Sequence, residues 1–267
     1  MKQQSPLISI IIPVYNAEST IDKIIIKLLK QTYQNIELII INDGSTDNSL
    51  QKIKLTVGDD QRAKIITQKN QGPSAARNFG LKKSTGDFVM FFDADDDFKH
   101  NIIKTMINKQ QKNNSDMVVC GMKLNNKKII PKQRVILKNN KIIRYVLRSL
   151  LKQNIFYGPY CKLFKRNIIN QMKLKFDTKV KYGEDTIFVM NYITKINSLT
   201  MIDQALYQYN YSPRGTAFNN RKNQFYRNQR RNALNQMVTE NQNLINWILK
   251  SLLLFRWQLS LIKARLK

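Results

Sequence analysis

Cysteine is scarce in this chain of 267 residues, which contains only Cys120 and Cys161. Two isolated cysteines match neither a disulfide framework nor the clustered spacing of a zinc site. Free thiols are typical of a protein that works in a reducing cytoplasm. The length and an apolar content of 42% predict a globular protein with one substantial core, or one core and a small appendage.

Long apolar runs are also absent. No stretch reaches the roughly 18 uninterrupted apolar residues that a membrane-spanning helix needs. The first apolar run, LISIII at 7–12, ends at Pro13 and is too short for the apolar region of a signal peptide. No internal repeat is visible, and no linker separates two independent domains. We therefore expect a cytoplasmic protein without a membrane span.

Acidic residues are few in the second half of the chain. Residues 121–267 contain 29 Lys and Arg against 5 Asp and Glu, a net charge of +24, whereas residues 1–120 contain 16 against 13, a net charge of +3. This asymmetry suggests that the second half faces nucleic acid, an acidic membrane surface or a phosphorylated acceptor. Because no known nucleic-acid motif appears, we expect no nucleic-acid partner, although nucleic-acid binding is kept as an alternative function.

The hydrophobic pattern of the first half alternates between strands and helices. Apolar runs predict strands at 7–14, 36–41, 63–67 and 87–92, with helices at 21–29, about 46–55 and 72–84 between them. This alternation implies an α/β fold with a mostly parallel sheet flanked by helices. The second half is less regular: we expect helices at 98–112, 139–152, 182–196, 219–239 and 242–265, strands at 116–124 and 201–212, and a loop at 157–166.

Polar clusters follow three of the predicted strands, where open α/β sheets bind their ligands. These clusters are YNAE after the first strand, NDGSTD after the second and DADDD after the fourth. Asp93 and Asp95 place two carboxylates one residue apart, which suits Mg²⁺ or Mn²⁺ shared with phosphate oxygens. Taken alone, the same run is more often a solvated turn or a helix cap, so both interpretations stay open here.

Together these motifs resemble those of the family 2 glycosyltransferases, which have the GT-A fold. The resemblance is close over residues 7–98 and returns at 157–166 and 182–188. It rests on six ordered motifs: PxYNxE at 13–18, DDGSxD at 42–47 with Asn42 first, ARNxG at 76–80, DxD at 93–95, PW.KL at 159–163 with Tyr160 replacing Trp, and the ED pair at 184–185.

The resemblance implies a UDP-sugar site. Its predicted nucleotide-sugar-binding residues are Pro13, Tyr15, Glu18, Asp43, Arg77, Asp93, Ala94, Asp95, Asp96 and Glu184. Tyr15 and Asp43 would hold the uracil, and Arg77 would approach the base or the diphosphate. Asp95 and Asp93 would bind Mn²⁺ or Mg²⁺, and Asp185 would be the general base of an inverting transfer. Asp97 is expected to cap the helix beginning near Phe98.

The expected organisation is a GT-A domain over 1–215, divided into a nucleotide-sugar-binding half (1–98) and an acceptor-binding half (99–215), and a basic helical extension over 216–267. Trp247 and Trp257 in that extension suit either packing on the domain or a lipid headgroup boundary. We expect a glycan acceptor, with an undecaprenyl-pyrophosphate-linked one as the candidate, and a peripheral position on the inner face of the cell membrane. Homo-oligomerisation and a non-catalytic sugar-nucleotide-binding role stay open.

Overall fold

A computed structural model of the chain describes residues 5–124, 127–152, 155–180, 183–210 and residue 228. Strands and helices alternate at first and then become irregular. The strands are β1 (Ile8–Val14), β2 (Ile36–Asp43), β3 (Ala63–Gln68), β4 (Phe88–Phe91), β5 (Asp97–Phe98), β6 (Met117–Leu124), β7 (Lys127–Ile129), β8 (Arg134–Leu137), β9 (Lys162–Lys165) and β10 (Ser198–Tyr209). The helices are α1 (Ile21–Leu29), α2 (Ser49–Val57), α3 (Pro73–Lys83), α4 (Ile102–Asn113), α5 (Asn139–Lys152), α6 (Arg166–Gln171) and α7 (Glu184–Ile193).

The first four strands form a parallel sheet in the order β3-β2-β1-β4. Every residue of β2 is buried, as expected for the apolar residues of a strand covered on both faces, and this includes the polar residues Glu37, Asn42 and Asp43. The face of α1 that packs on the sheet carries Ile21, Ile24, Ile25 and Leu28, which repeat at helical spacing. The predicted α/β class and the strand–helix alternation of this half are confirmed.

The second half extends the same sheet with mixed pairing, in the order β4-β9-β6-β10-β5. β9 lies antiparallel between β4 and β6, while β10 runs parallel to β6. The prediction of a loop over 157–166 is wrong in its last part, because Lys162–Lys165 form β9. Four residues show no strand periodicity of their own, and this strand exists because both neighbours hydrogen-bond to it.

The segment after the aspartate run also differs from its prediction. Asp97–Phe98 form β5, which pairs with β10, and α4 begins at Ile102 with Asn101 as its N-cap residue. The Asp97 carboxylate pairs with the Lys27 ammonium on α1. Asp97 is therefore not a helix cap, since pairing with β10 keeps the chain extended where the sequence pattern predicted a first helical turn.

An aromatic cluster joins the two halves in the core. The Phe91 ring meets the rings of Phe164, Phe176 and Phe188 edge-on, with centroid distances of 5.9, 5.4 and 5.8 Å. Edge-to-face packing of buried rings fixes neighbouring elements in position. This cluster holds the end of β4 close to β9 and α7, which carry the residues described next.

Three predictions concern residues beyond Asn210. The helices expected at 219–239 and 242–265, and the domain boundary after residue 215, lie outside the described residues, so the domain division stays a prediction. Within the described ranges, no helix combines the length and the apolar character needed to cross a bilayer.

Candidate active site

The parallel arrangement of β1, β2 and β4 brings their carboxyl ends to one edge of the sheet. Tyr15, Asp43 and Asp93 therefore share this edge, as the sequence predicted. Pro13 lies in β1 beyond the last residue paired with β4, where a missing N–H costs no ladder bond on that side. The side chain of Tyr15 is 51% exposed, so its ring is accessible as a flat surface for a ligand.

The loops after β1 and β2 are fastened to each other. Asn16 donates its backbone N–H to the Ser45 hydroxyl at 3.1 Å and accepts the Thr46 N–H at 2.8 Å through its side-chain oxygen. The Glu18 carboxylate accepts the backbone N–H of Asn48 at 3.0 Å, just before α2. Glu18 thus helps to form this edge of the sheet, because its carboxylate holds the loop after β2 in position.

Asp43 binds the segment that leads into α3. Its carboxylate accepts the backbone N–H groups of Gln71 (2.9 Å) and Gly72 (2.8 Å) and the side-chain amide of Gln68 (2.7 Å). Gly72 has a φ of +87°, a conformation that favours glycine. Asp43 is nearly fully buried and fixes the start of the helix that carries Arg77.

Arg77 links the two halves of the candidate site. Its Nη2 donates a 2.8 Å hydrogen bond to Asp93, and its Nη1 lies 3.9 Å from the Glu184 carboxylate. Burial alone would lower the pKa of Arg77, but Asp93, Glu184 and Asp185 together raise it. Burial, and then the charge of Asp185, raise the pKa of Glu184 to about 7, although Arg77 acts in the opposite direction.

Asp95 is the exposed member of the aspartate run, and its backbone carbonyl accepts a 2.8 Å hydrogen bond from the Asn210 side chain. Partial burial of the loop, and then the nearby charge of Asp93, raise the pKa of the Asp95 carboxyl. Crowded carboxylates of this kind favour a cation between them. Ala94, between the two, is buried.

The donor set decides what kind of metal ion this loop suits. In the described part of the chain, no group of three or more His, Cys, Asp or Glu side chains is arranged to hold a metal. The pair Asp93 and Asp95 offers hard oxygen ligands but an incomplete shell. This fits Mg²⁺ or Mn²⁺ that takes its remaining ligands from a diphosphate and water, and it does not fit an ion held in an all-protein cage.

Asp96 points into the protein. Its carboxyl accepts hydrogen bonds from the Tyr207 hydroxyl at 2.6 Å and from the Asn210 backbone N–H at 2.9 Å. Burial, and then the charge of Asp93, raise the pKa of Asp96 to about 8 despite these two bonds. Asp96 ties the aspartate loop to the end of β10, and its place in a donor pocket stays a prediction.

Asp185 lies in the first turn of α7, as the sequence predicted. One of its carboxylate oxygens accepts the backbone N–H of Thr186 at 2.6 Å, and the Thr186 hydroxyl donates to the carbonyl of Tyr157 at 2.8 Å. The helix N-terminus favours a negative charge at this position. The roles predicted for Asp185 and for the donor-site residues are not tested by these contacts and stay predictions.

Two groups of residues at the site were not predicted from the sequence. The Tyr160 ring packs beside Tyr209 with a centroid distance of 5.0 Å, and burial followed by the charge of Asp185 raises the Tyr160 pKa. Lys162 is fully buried, and its ammonium nitrogen lies 5.5 Å from the centroid of the Tyr160 ring. A lysine within the motif at 159–163 was the only signal that could have pointed to it.

Comparison with known proteins identifies the family. The sequence model of "Glycosyl transferase family 2" matches residues 9–172, more than half of the chain. The chain therefore belongs to glycosyl transferase family 2, and the predicted family membership is confirmed.

Individual relatives agree with this result. The chain is 30% identical over 215 residues to the uncharacterized glycosyltransferase EpsJ of Bacillus subtilis, covering 78% of this chain and 62% of that protein. It is 31% identical over 210 residues to the poly(ribitol-phosphate) beta-glucosyltransferase of Bacillus spizizenii, covering 76% of this chain and 32% of that protein. The chain thus spans less than two thirds of the length of either relative.

A solved structure shows the same fold. S. aureus TarS in complex with UDP-GlcNAc superposes with a TM-score of 0.72 at 23% sequence identity, covering 87% of this chain and 66% of that one. The predicted GT-A fold is thereby confirmed for the part of the chain that aligns.

Proposed function

We propose that this protein is an inverting glycosyltransferase that moves a sugar from a UDP-sugar to a hydroxyl of a glycan acceptor. The observation that supports this most directly is the position of Arg77. One buried guanidinium contacts Asp93 of the candidate donor site and lies next to the acidic pair at the start of α7. The donor diphosphate and the general base would then border the same space. Attack of the acceptor hydroxyl on the anomeric carbon in a single step requires this arrangement.

The proposed donor site uses the loops at the carboxyl ends of β1, β2 and β4. Tyr15 offers an exposed ring for the uracil. Asp43, whose buried carboxylate already accepts three N–H groups, is the acceptor proposed for the uracil N–H. UDP-GlcNAc is bound by TarS, which has the same fold. A UDP-sugar is therefore the proposed donor class, and a hexose or an N-acetylhexosamine is the proposed sugar.

Asp95 and Asp93 are proposed to hold Mn²⁺ or Mg²⁺ against the donor diphosphate. When bound, such an ion neutralises the charge that develops on the departing UDP. Arg77 keeps Asp93 in place by its 2.8 Å hydrogen bond and places a positive charge beside the Asp93 carboxylate. Metal dependence is accordingly part of the proposal.

Asp185 is proposed to act as the general base. It would take the proton of the acceptor hydroxyl as that oxygen attacks the anomeric carbon, and the bond from this carbon to UDP would break on the opposite side. Attack from the side opposite the leaving group inverts the anomeric centre. The backbone N–H of Thr186 donates to one oxygen of the Asp185 carboxylate at 2.6 Å and so restricts the orientation of the carboxylate.

The proposed acceptor is a cell-surface glycan or related polymer, and a lipid-linked one is the specific candidate. One relative is named for transfer to poly(ribitol-phosphate), an anionic polymer. The net charge of +24 over residues 121–267 suits an anionic acceptor or an anionic membrane surface. A peripheral position on the inner face of the cell membrane is proposed on this ground.

The decisive experiment measures UDP release from a panel of UDP-sugars with Mn²⁺ or Mg²⁺, with and without glycan acceptors. We expect the wild type to turn over at least one donor and to lose activity with a chelator. Asp185→Asn and Asp95→Ala are each expected to lower kcat by about 100-fold or more, because they remove the base and a metal ligand.

Asp203→Asn and Asp59→Ala are matched controls, because both remove exposed carboxylates away from the site. They are expected to leave turnover unchanged. If no donor is turned over, or if the Asp185 and Asp95 variants behave like these controls, the proposed activity or its assigned residues are wrong. Binding of DNA without UDP-sugar turnover would instead support the nucleic-acid alternative.

The membrane proposal has its own test. The full chain is mixed at low salt with vesicles that contain anionic phospholipid, and with purely zwitterionic vesicles as the control, and is then floated. We expect flotation with the anionic vesicles only, and weaker flotation as salt rises. Absence of flotation at low salt would refute membrane docking and leave the proposed chemistry untouched.

A further inference from the structure

Lys162 carries a buried positive charge without a carboxylate partner within salt-bridge distance in the described part of the chain. Its ammonium is fully buried and donates hydrogen bonds to three backbone carbonyls, those of Ile155 (2.5 Å), Gly158 (2.6 Å) and Tyr160 (3.2 Å). An ammonium has three N–H donors, so three carbonyls satisfy it completely.

Three carbonyls of the segment 155–160 therefore converge on one charged group, the Lys162 ammonium. The rings of Phe156 and Tyr160 flank the ammonium, with the nitrogen 5.8 and 5.5 Å from their centroids. A buried charge is costly, and apolar replacements of buried charges are often tolerated in terms of stability. Core packing alone does not explain why a lysine occupies this position.

This segment contacts the residue next to the proposed base. The Tyr157 carbonyl accepts the Thr186 hydroxyl at 2.8 Å, and the Thr186 N–H donates to Asp185 at 2.6 Å. A continuous path of hydrogen bonds and backbone thus leads from the Lys162 ammonium to the Asp185 carboxylate.

Electrostatic attraction also connects Lys162 with Asp185. Burial lowers the pKa of Lys162 overall, although the neighbouring cysteines and the Asp185 carboxylate act in the opposite direction. The ammonium and the Asp185 carboxylate therefore attract each other. Among the residues that the structure describes, the titratable groups that act on Asp185 or feel its charge include Glu184 on the same helix, Arg77 from α3, Tyr160 and Tyr209. Lys162 and Arg77 are the two cations among these groups.

We propose that Lys162 is a positioning residue: its ammonium organises the segment 155–160 and, through Tyr157 and Thr186, orients Asp185 for proton removal. The inference rests on the proposed function and assigns a role to the lysine of the motif at 159–163. Lys162 is not itself expected to contact donor or acceptor, because its ammonium is enclosed by the protein.

A double-mutant cycle tests this role. Lys162→Met is made in the wild type and in Asp185→Asn, and kcat, KM and UDP affinity are measured. If Lys162 acts through Asp185, kcat falls by about 10- to 100-fold in the wild type, and the same change lowers kcat less than about twofold in Asp185→Asn. KM for the UDP-sugar and the affinity for UDP are expected to stay within about twofold.

Hydrogen exchange provides a readout that does not depend on activity. In Lys162→Met, the amides of 155–160 and of the first turn of α7 are expected to exchange at least about tenfold faster, whereas those of α4 keep their rates. If Lys162→Met does not fold, Thr186→Val replaces it, because this change keeps the size of the side chain and removes the hydroxyl that donates to the Tyr157 carbonyl at 2.8 Å and lies 3.3 Å from the Asp185 carboxylate. The same loss of kcat, again absent in Asp185→Asn, is then expected.

The outcomes separate this inference from the proposed function. If the wild type turns over no UDP-sugar, the proposed function fails and the inference fails with it. The wild type can instead be active while Lys162→Met lowers kcat by the same factor in the wild type and in Asp185→Asn. In that case, or if exchange at 155–160 and α7 is unchanged, only the role of Lys162 is overturned. A loss of kcat that depends on Asp185, together with faster exchange, establishes the role.

Discussion

Arg77 and Asp93 form a 2.8 Å ion pair between α3 and the loop after β4, and the guanidinium that makes it is almost completely buried. The same guanidinium lies over the Phe176 ring at 5.5 Å and faces Glu184 at 3.9 Å. Because these contacts come from distant parts of the chain, Arg77 has a structural role as well as the proposed one in binding a diphosphate.

Arg77→Met is predicted to destabilise the protein strongly. The change leaves Asp93 and Glu184 without their shared cation, and breaking a buried ion pair in this way costs about 3 kcal/mol. Urea unfolding at pH 7 measures the loss. Arg62→Met is the control, because Arg62 pairs with the nearby Asp60 closer to the surface, and its loss is expected to cost less than about 1 kcal/mol. Equal losses in the two variants would contradict the bridging role of Arg77.

Glu37 is predicted to make stability depend on pH in the acid range. This buried carboxylate on β2 accepts hydrogen bonds from the Ser9 hydroxyl, the Lys64 ammonium and the backbone N–H of Thr85. Burial raises its pKa, but these bonds outweigh burial and lower the pKa to about 2, against 4.5 for a free glutamate. The stabilisation is therefore complete above about pH 5 and is lost as pH falls toward 2.

Glu37→Gln tests this dependence. The linkage amounts to about 3 kcal/mol at pH 7 and shrinks as pH falls below about 4.5. The difference in unfolding free energy between the wild type and Glu37→Gln should therefore be larger at pH 7 than at pH 3. Asp59→Asn, which changes an exposed carboxylate, provides the baseline. A difference that is constant between pH 3 and 7 would refute the assignment.

Gly80 is predicted to tolerate no side chain. A Cβ placed there would lie 2.4 Å from a methyl carbon of Ile11 on β1, so α3 packs on the sheet through this glycine. Gly80→Ala is expected to lower the unfolding free energy by about 1–3 kcal/mol, because overpacking forces backbone shifts. Lys82→Ala on the exposed face of α3 should change it by less than about 0.5 kcal/mol. A stabilised Gly80→Ala would disprove this packing.

The sequence was most informative where periodicity and burial agree. β1, β2 and β4 lie within mostly apolar runs of the sequence, and the polar residues after them lie at one edge because the strands are parallel. β9 and β5 were missed because two to four residues become a strand only through their neighbours. The pairing of Asp97 with Lys27 and the enclosure of Lys162 were also not predictable, since nothing local distinguishes a buried charge from an exposed one.

Asp43 combines a structural role with a proposed one in binding, and its substitution separates them. Asp43→Asn places an amide N–H₂ where a carboxylate oxygen now accepts the N–H of Gln71 or Gly72. We expect the unfolding free energy to fall by about 1–3 kcal/mol, because one of these groups loses its acceptor. If the same carboxylate also accepts the uracil N–H, UDP affinity should fall by about tenfold, as expected for one charge-assisted hydrogen bond.

The nucleotide preference distinguishes the two roles of Asp43. Uracil presents a donor at N3 where cytosine presents an acceptor, so a carboxylate at this point favours UDP over CDP. Calorimetric titration of both nucleotides should show that this preference shrinks in Asp43→Asn. Asp47→Asn is the matched control: Asp47 also accepts two backbone N–H groups, those of Glu18 and Ser49. The Asp47→Asn variant should lose stability but keep the preference for UDP over CDP. If both variants weaken UDP and CDP binding equally, Asp43 acts only by holding the start of α3.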